Sequence, residues 1–138
     1  MSSEHQARPP IDQQIVFIRS RAFERATKFY EEILDLPLVL DQGACRIYRV
    51  AGDAFLGVCR AQPEQAPATG GVIMTFVTAA VSEWYHRLLD AGVEIDGAPR
   101  DNPNYGIYHF YARDPDGHAL EFQYFHSPDW PKPGHDQP

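Results

Sequence analysis

The chain repeats one order of predicted elements, strand–helix–strand–strand–strand, and this duplication constrains the fold more than any other feature. The first copy is predicted to have a helix at 22–34 and strands at 11–19, 38–41, 45–50 and 54–59. The second copy is predicted to have a helix at 81–89 and strands at 72–78, 93–95, 107–113 and 119–125. Two copies of about 60 residues indicate paired modules, because a solenoid needs at least three repeats.

Both predicted helices carry apolar residues at the spacing of one buried face. In the first helix these residues are Phe23, Ala26, Tyr30 and Ile33. Ser20 is the predicted N-cap of this helix, and Pro37 prevents its continuation. Gly92 is predicted to end the second helix in a left-handed conformation.

The 138 residues are enough for one domain with a real core, which we place at 11–126. Modules at about 11–60 and 71–126 are separated by a linker at 61–70, rich in proline, alanine and glycine. Residues 1–10 are polar and end in Pro-Pro, so a disordered N-terminus is predicted. The Pro-rich tail at 127–138 lacks a core pattern, and only Trp130 offers a docking side chain.

Charge excludes several classes of partner. Twelve Lys+Arg against nineteen Asp+Glu give 12 − 19 = −7, without a basic cluster, so neither nucleic acid nor an anionic membrane surface is an expected partner. No apolar run approaches the roughly 20 residues of a membrane span. The N-terminal sequence MSSEHQARPP lacks the apolar stretch of a signal peptide. A cytoplasmic protein is therefore predicted.

The two cysteines, Cys45 and Cys59, fall in consecutive predicted strands. They would lie opposite each other if the connecting loop were the three residues 51–53, so a cross-strand disulfide stays open. We favour two small buried thiols in a reducing cytosol. A catalytic thiol is disfavoured, because no histidine lies near either cysteine in sequence.

The segment 104–125 reads as a hairpin in which polar residues interrupt an apolar strand. Residues 114–117, DPDG, have the composition of a tight turn. Because side chains alternate along a strand, His109 shares a face with Tyr111, and Glu121 shares one with Gln123. The position of Glu121 in an apolar strand is not readily explained by packing, because buried unpaired carboxylates are rare. The alternative to a functional carboxylate is a surface carboxylate on a sheet with one solvent-exposed face.

The sequence YARDPDG at 111–117, followed by Leu120 and Glu121, resembles the last hairpin of the vicinal oxygen chelate superfamily. This superfamily includes glyoxalase I, fosfomycin- and bleomycin-resistance proteins and extradiol dioxygenases. Residues 29–37 also resemble its FYxxxLGLxxV segment, except that Asp35 replaces the usual glycine. The resemblance covers about 11–126 and implies an α+β fold: two βαβββ modules in one chain, with curled mixed sheets that enclose a cavity.

The resemblance also places metal ligands on the first and last strands of each module, and Glu121 occupies one such position. The other positions fall at Gln13 or Gln14, near Ile73, and at Leu56 when Gly52 is matched to Gly117. Neither isoleucine nor leucine can coordinate a metal. The usual metal centre is therefore predicted to be absent, and a divalent Fe, Mn, Ni or Zn ion bound through Glu121 is the alternative.

The remaining candidates would line the cavity. His109 is a candidate catalytic residue together with Glu121, because a histidine facing a cavity can orient or protonate a ligand; the alternative is a histidine that is simply hydrogen-bonded in place. Tyr111 occupies a position that contacts ligand in resistance-protein relatives. The candidate ligand-binding residues are Gln14, Tyr105, Tyr111 and Gln123.

Other polar residues are predicted to have plain roles. Tyr105 lies in a loop that either covers the cavity mouth or only connects strands. His86 and His118 are predicted to be solvated, whereas Arg113 and Asp114 are predicted to be structural.

Three functions remain open at this point. The first is a glyoxalase- or resistance-type protein that binds a small organic molecule in a metal-free cavity. The second is a divalent-metal-dependent lyase, isomerase or dioxygenase that uses Glu121. The third is a non-catalytic dimeric structural or regulatory module. A homodimer is expected in each case, because open sheet edges invite pairing, and the fold alone does not decide among the three.

Overall fold

The computed structural model of the protein describes residues 7–64 and 69–134, which form two four-stranded sheets. The first sheet has the order β1-β4-β3-β2, from β1 (Gln14–Ser20), β2 (Leu38–Asp41), β3 (Cys45–Ala51) and β4 (Ala54–Arg60). The second has the order β5-β8-β7-β6, from β5 (Ile73–Val77), β6 (Arg100–Asn102), β7 (Ile107–Arg113) and β8 (Ala119–Phe125). In each sheet the first and last strands pair in parallel and the other pairs are antiparallel. The predicted α+β fold of two βαβββ modules is confirmed.

The first helix consists of α1 (Phe23–Lys28) and a π-helical segment (Phe29–Ile33) that continues it. Its N-cap is Ala22 without a side-chain cap bond, so the predicted role of Ser20 is wrong. Ser20 Oγ instead accepts a hydrogen bond from the Ala22 amide (3.0 Å) and donates one to Asp116 (2.5 Å). The helix ends at Asp35, whose φ of 55° is left-handed. Glycine adopts this conformation without strain, which explains why the family segment that residues 29–37 resemble has glycine in place of Asp35.

The second helix, α2 (Val81–Asp90), ends at Gly92 with a φ of 75°, as predicted. The strand predicted at 93–95 is wrong, because pairing there is too brief. Backbone bonds from Arg113 to Glu94 and from Asp96 to Tyr111 join this segment to β7, but only Ile95 forms a bridge. Gly97, with a φ of 124°, interrupts the pairing, which resumes in β6.

Each sheet buries one face under a helix, and both modules contribute to one hydrophobic core. Trp84 of α2 stacks on Phe122 at 5.3 Å, and Tyr85 meets Phe110 edge-on. In the first module, Tyr30 is fully buried beneath its sheet. We call the opposite side of each sheet its open face. Strand alternation places Glu121 and its alternate neighbours there.

Matching the modules by their buried faces corrects the predicted counterpart of Glu121. Leu56 pairs with Val16 and is buried in the core, just as Leu120 pairs with Met74. Gly57 is therefore the position equivalent to Glu121, and Leu56 points to the other face. Matching Gly52 to Gly117 failed because the two hairpin turns differ in length.

A disulfide joins Cys45 to Cys59, so the preferred interpretation as free thiols is wrong. The two residues are cross-strand partners in β3 and β4, with their Cα atoms 4.0 Å apart. The loop is also shorter than predicted, because Ala51 pairs with Ala54. A register shift between Arg49 and Ala51 compensates and keeps the cysteines opposite each other. The disulfide occupies the position that His109 and Gln123 occupy in the second sheet.

The strands β1 and β5 are edge strands that, among the described residues, pair on one side only, with β4 and β8, and they line a seam between the two modules. Trp130 of the tail stacks on Phe125 at 3.9 Å, as its docking role requires. The predicted domain boundaries remain predictions, because 1–6, 65–68 and 135–138 lie outside the described residues. Within the described ranges, no helix is both long and apolar enough to cross a membrane.

Candidate functional site

The open face of the second sheet carries two adjacent rows of polar side chains. One row crosses from Arg100 to His109 and Gln123 on β6, β7 and β8. The next row crosses from Tyr111 to Glu121 and Thr75 on β7, β8 and β5. Strand register therefore brings together four of the residues predicted from sequence: His109, Tyr111, Glu121 and Gln123.

Glu121 and His109 form a buried pair at the centre of these rows. The Glu121 Oε2 atom lies 2.7 Å from His109 Nδ1, and the residues are 6% and 3% exposed. Thr75 Oγ1 donates a second hydrogen bond to Glu121 Oε1 at 3.2 Å. Glu121 is therefore not a surface carboxylate, and its burial is stabilised by two hydrogen bonds.

Two polar groups of the site have no partner within the described part of the chain. His109 bonds only through Nδ1, so its Nε2 atom makes no hydrogen bond there. The side-chain amide of Gln123, a residue only 9% exposed, makes none either. Both groups keep some contact with solvent. Among the described residues, the one fully buried side-chain polar atom without a hydrogen-bond partner is Arg46 Nε, which belongs to neither group. Both groups therefore keep unused hydrogen-bonding capacity within the described ranges.

Tyr111 and Arg100 complete the polar rim. The Tyr111 ring packs edge-on against His109 at 5.2 Å between centroids. Burial and the negative charge of Glu121 raise the pKa of Tyr111, whereas Arg100 lowers it less. The Tyr111 hydroxyl therefore stays protonated near neutral pH and can donate a hydrogen bond. Sequence reasoning missed Arg100, because no pattern predicted the short strand β6 that carries it.

The structure does not bring the other two predicted residues to this site. Gln14 is exposed and shares a face with Ile18, which is buried on the helix side of its sheet. It lines a seam cavity beside Val16 rather than the open face. Tyr105 is 76% exposed in the loop between β6 and β7.

The described residues do not supply the usual metal-ligand set. Among the described residues, His109 and Gln123 are the potential metal ligands on the strand next to Glu121 and on its own strand, and His109 is already hydrogen-bonded to Glu121. The equivalent positions of the first sheet hold Gly57 and the Cys45–Cys59 disulfide. Three or four converging ligands are the norm for a divalent site. The predicted absence of a metal nevertheless stays a prediction.

A second group within the described ranges has atoms close enough for metal binding: Asp114, Asp116 and His118, within 4.8 Å of one another. These atoms already serve the turn. Asp114 accepts hydrogen bonds from Tyr30 (2.8 Å), from His118 Nδ1 (2.8 Å) and from two turn amides. Asp116 accepts from Ser20 and from the Arg21 amide. The prediction that His118 is solvated is wrong, because this network buries it to 6% exposure, whereas His86 is exposed as predicted.

Paired βαβββ modules with a polar open face define a known class of proteins. The family model described as the Glyoxalase/Bleomycin resistance protein/Dioxygenase superfamily matches residues 13–122. The chain belongs to this superfamily. No curated protein matches the sequence at a significant level.

Solved structures agree with this fold. A glyoxalase/bleomycin resistance protein/dioxygenase from Nocardioides superposes with a TM-score of 0.72 at 18% identity, covering 96% of this chain and 93% of that chain. A glyoxalase-related enzyme from Fulvimarina pelagi gives 0.72 at 22% identity, over 90% and 93%. A lactoylglutathione lyase from Agrobacterium tumefaciens gives 0.67 at 23% identity, over 85% and 96%. At these identities the likeness shows the fold alone.

Proposed function

We propose that the open face of the second sheet binds a small organic molecule without a metal ion. The observation that carries the proposal is the buried Glu121–His109 pair, whose Nε2 atom is left without a partner in the described ranges. Buried polar side chains that serve packing alone usually have all of their polar atoms hydrogen-bonded. Here the unpaired atoms of His109 and Gln123 lie side by side on neighbouring strands.

The pair favours a ligand that donates a hydrogen bond. When Glu121 accepts the Nδ1 proton of His109, the neutral imidazole presents Nε2 as an acceptor. Gln123 adds one amide donor and one acceptor, and the Tyr111 hydroxyl adds a donor. A phenol, an enol or an N–H group suits this arrangement. Any catalysis would use His109 as a general base, with Glu121 stabilising the imidazolium that forms.

The test is a thermal-shift screen of phenols, enolisable carbonyl compounds and amides against the wild-type protein, Glu121→Gln and His109→Gln. Hits are expected to stabilise the wild type and to lose most of that shift in both variants, since Glu121→Gln removes the carboxylate charge that holds the imidazole and His109→Gln removes the imidazole itself. The exposed His86→Gln on α2 is the matched control and should keep the full shift. Hits that stabilise Glu121→Gln as strongly as the wild type would contradict the proposal. A screen without hits would favour a non-catalytic structural or regulatory module.

A metal-dependent lyase, isomerase or dioxygenase is the second candidate. The adjacency of Glu121, His109 and Gln123 favours it, because carboxylate, imidazole and amide groups all bind divalent metals. Elemental analysis of protein purified without added metal tests this candidate. Stoichiometric Fe, Mn, Ni or Zn that disappears in Glu121→Ala would replace the metal-free proposal.

The proposal also places the protein in the cytoplasm as a homodimer. The expected cytoplasmic location conflicts with the Cys45–Cys59 disulfide, which is more typical of an oxidising compartment. Cell fractionation with differential alkylation of the two cysteines decides between these indications. Recovery of the oxidised protein outside the cytoplasmic fraction would contradict the location.

A further inference from the structure

The Cys45–Cys59 disulfide lies on the open face of the first sheet, away from the hydrophobic core. Cys59 follows Val58 of β4, which is fully buried on the helix side, and side chains alternate along a strand. Both cysteines are half-buried. Beyond the disulfide, the pairing of β3 with β4 continues as far as Ala51 and Ala54. Backbone pairing is therefore expected to keep Cys45 opposite Cys59 after reduction as well.

One end of the disulfide is open to an incoming thiol. The turn of residues 42–44 lies beside Cys45 on the side away from β4, and all three of its residues are exposed. A side chain built on Gly43 would meet no other atom within 4 Å. A thiolate attacks a disulfide along the S–S axis, so an attack on Cys45 comes from the side of this open turn.

A basic side chain lies at the other end of the disulfide. Arg19 of β1 is the register partner of Cys59, so the row across the sheet reads Arg19, Cys59, Cys45. Within strands β1 to β4 the one carboxylate belongs to Asp41, which lies 3.5 Å from Arg46 on the opposite face. A guanidinium beside Cys59 favours the thiolate form of that residue.

The sulfur of Cys59 also has room to separate from its partner. A cavity of about 430 Å³ lies in the seam between the modules, and we call it the seam cavity. Arg19 and Cys59 are both among its lining residues. A thiolate formed at Cys59 can therefore move away from Cys45 without displacing packed side chains.

We propose that the Cys45–Cys59 disulfide exchanges with small thiols while the protein stays folded. A thiolate attacks Cys45 Sγ, the S–S bond breaks, and Cys59 leaves with the electron pair as a thiolate beside Arg19. A second thiolate attacks the sulfur of the bound thiol, and Cys45 leaves in turn. Two thiols are thus oxidised to one small disulfide, and the two cysteines are reduced and receive the protons of the thiols.

The exchange is reversible, because β3 and β4 keep the two thiols opposite each other for reaction with a small disulfide. It would reconcile the disulfide with the expected cytoplasmic location, since disulfides in reducing compartments are usually transient. The exchange site lies on the first sheet and the Glu121 site on the second, so neither proposal depends on the other.

The test is the rate at which dithiothreitol reduces the full-length protein under native conditions, measured by alkylation and mass spectrometry. The rate should rise in proportion to the thiol concentration and stay constant in urea below the unfolding transition. Mercaptoethanol disulfide should restore the oxidised form after the thiol is removed. A rate that levels off at high thiol concentration, or that climbs with urea, would overturn the proposal, because the disulfide would then open only when the protein unfolds.

The direction of attack is tested with mercaptoethanol, which has a single thiol. Alkylation and peptide mapping at early times should find the mercaptoethanol adduct on Cys45 and the alkyl group on Cys59. Adducts confined to Cys59 would contradict the proposed order of attack.

Arg19→Gln should slow the reduction about threefold, because the leaving thiolate loses its neighbouring charge. High salt should remove this difference, since it screens exposed charges. Arg25→Gln on α1 removes the same charge outside the row and should react at the wild-type rate. An unchanged urea midpoint would show that Arg19→Gln is folded, and equal rates for the two arginine variants would overturn the assignment of Cys59 as the leaving group.

Discussion

Glu121 and His109 show at the scale of single residues how a buried charge is accommodated. An unpaired carboxylate in the sheet would cost several kcal/mol in desolvation. The 2.7 Å contact with His109 and the bond from Thr75 offset that cost and fix the imidazole orientation. The same two contacts leave Nε2 without a partner in the described ranges, so the edge of the ring that faces away from Glu121 is the one left for the proposed ligand.

The Asp114–His118 pair predicts a pH dependence of stability. The hydrogen bond with Asp114 raises the pKa of His118 above its ordinary 6.5. Burial acts to raise the pKa of Asp114, but bonds from His118 and Tyr30 outweigh it and lower the pKa below 3.8. The stabilisation from His118 is complete below pH 6.5 and is lost as pH rises through its raised pKa. The contribution of Asp114 is present above pH 3.8 and is lost as pH falls through its lowered pKa.

His118→Gln should therefore lower the unfolding temperature most near pH 5 to 6, between the two ordinary values of 3.8 and 6.5. The difference from the wild type should shrink as pH rises above neutrality. Differential scanning fluorimetry across pH 5 to 9 measures this difference. The exposed His86→Gln should give a small, constant difference, and a constant difference for His118→Gln would contradict the assignment.

At the scale of elements, sequence predicted three strands with the bounds that the structure has. The bounds of β7 and β8 match the prediction, and so do those of β2. The strand at 93–95 failed because backbone geometry at Gly97 decides where pairing continues, and no side-chain pattern encodes that choice. Ser20 failed as a cap because a tertiary contact with Asp116 claims its hydroxyl.

The end of the first helix gives a prediction about Asp35. A left-handed residue other than glycine carries a conformational cost of about 1 kcal/mol. Because the φ of Asp35 is 55°, Asp35→Gly should raise the free energy of unfolding by about 0.5–1 kcal/mol. Asp35→Ala at the same position should lower it. Urea denaturation measures both, and a gain from alanine would contradict the left-handed assignment.

The disulfide gives a second prediction at this scale. It closes a loop with a sequence separation of 14 between β3 and β4. The double variant Cys45→Ala/Cys59→Ala should lower the free energy of unfolding by about 2–4 kcal/mol, mainly because the unfolded chain gains freedom. Urea denaturation under non-reducing conditions measures the loss. Reductant should destabilise the wild type by a similar amount and leave the variant unchanged; equal stability of variant and oxidised wild type would argue against the bond.

For the whole molecule, the edge strands β1 and β5, whose outer sides have no strand partner among the described residues, predict self-association. Large apolar side chains are exposed on both strands, including Phe17 at 53% and Ile73 at 52%. Exposed apolar strands at sheet edges are typical of interfaces. Multi-angle light scattering at micromolar concentration should give twice the chain mass of 15.6 kDa. Phe17→Asp should shift the mass to that of one chain, and a monomeric wild type would rule out the dimer.

Strand alternation predicted which residues of the candidate site share a face within one hairpin, but not which residues of other elements join them. Alternation predicted that His109 shares a face with Tyr111 and Glu121 with Gln123, and the hairpin register brings these four side chains together. Gln14 does not join them, because it lies on β1 of the other sheet, on the face that carries Ile18. The seam cavity arises from how the two sheets sit together, and no local sequence pattern carries that information.

The correspondence between the halves has a consequence for their chemistry. Where the second half has Glu121, His109 and Gln123, the first half has Gly57 and the Cys45–Cys59 bridge. The two halves thus put different chemistry at equivalent positions: a hydrogen-bonded acid and imidazole in one, and a covalent cross-link in the other. Grafting the acid and the imidazole onto the cross-linked half would ask whether the two halves are interchangeable as scaffolds.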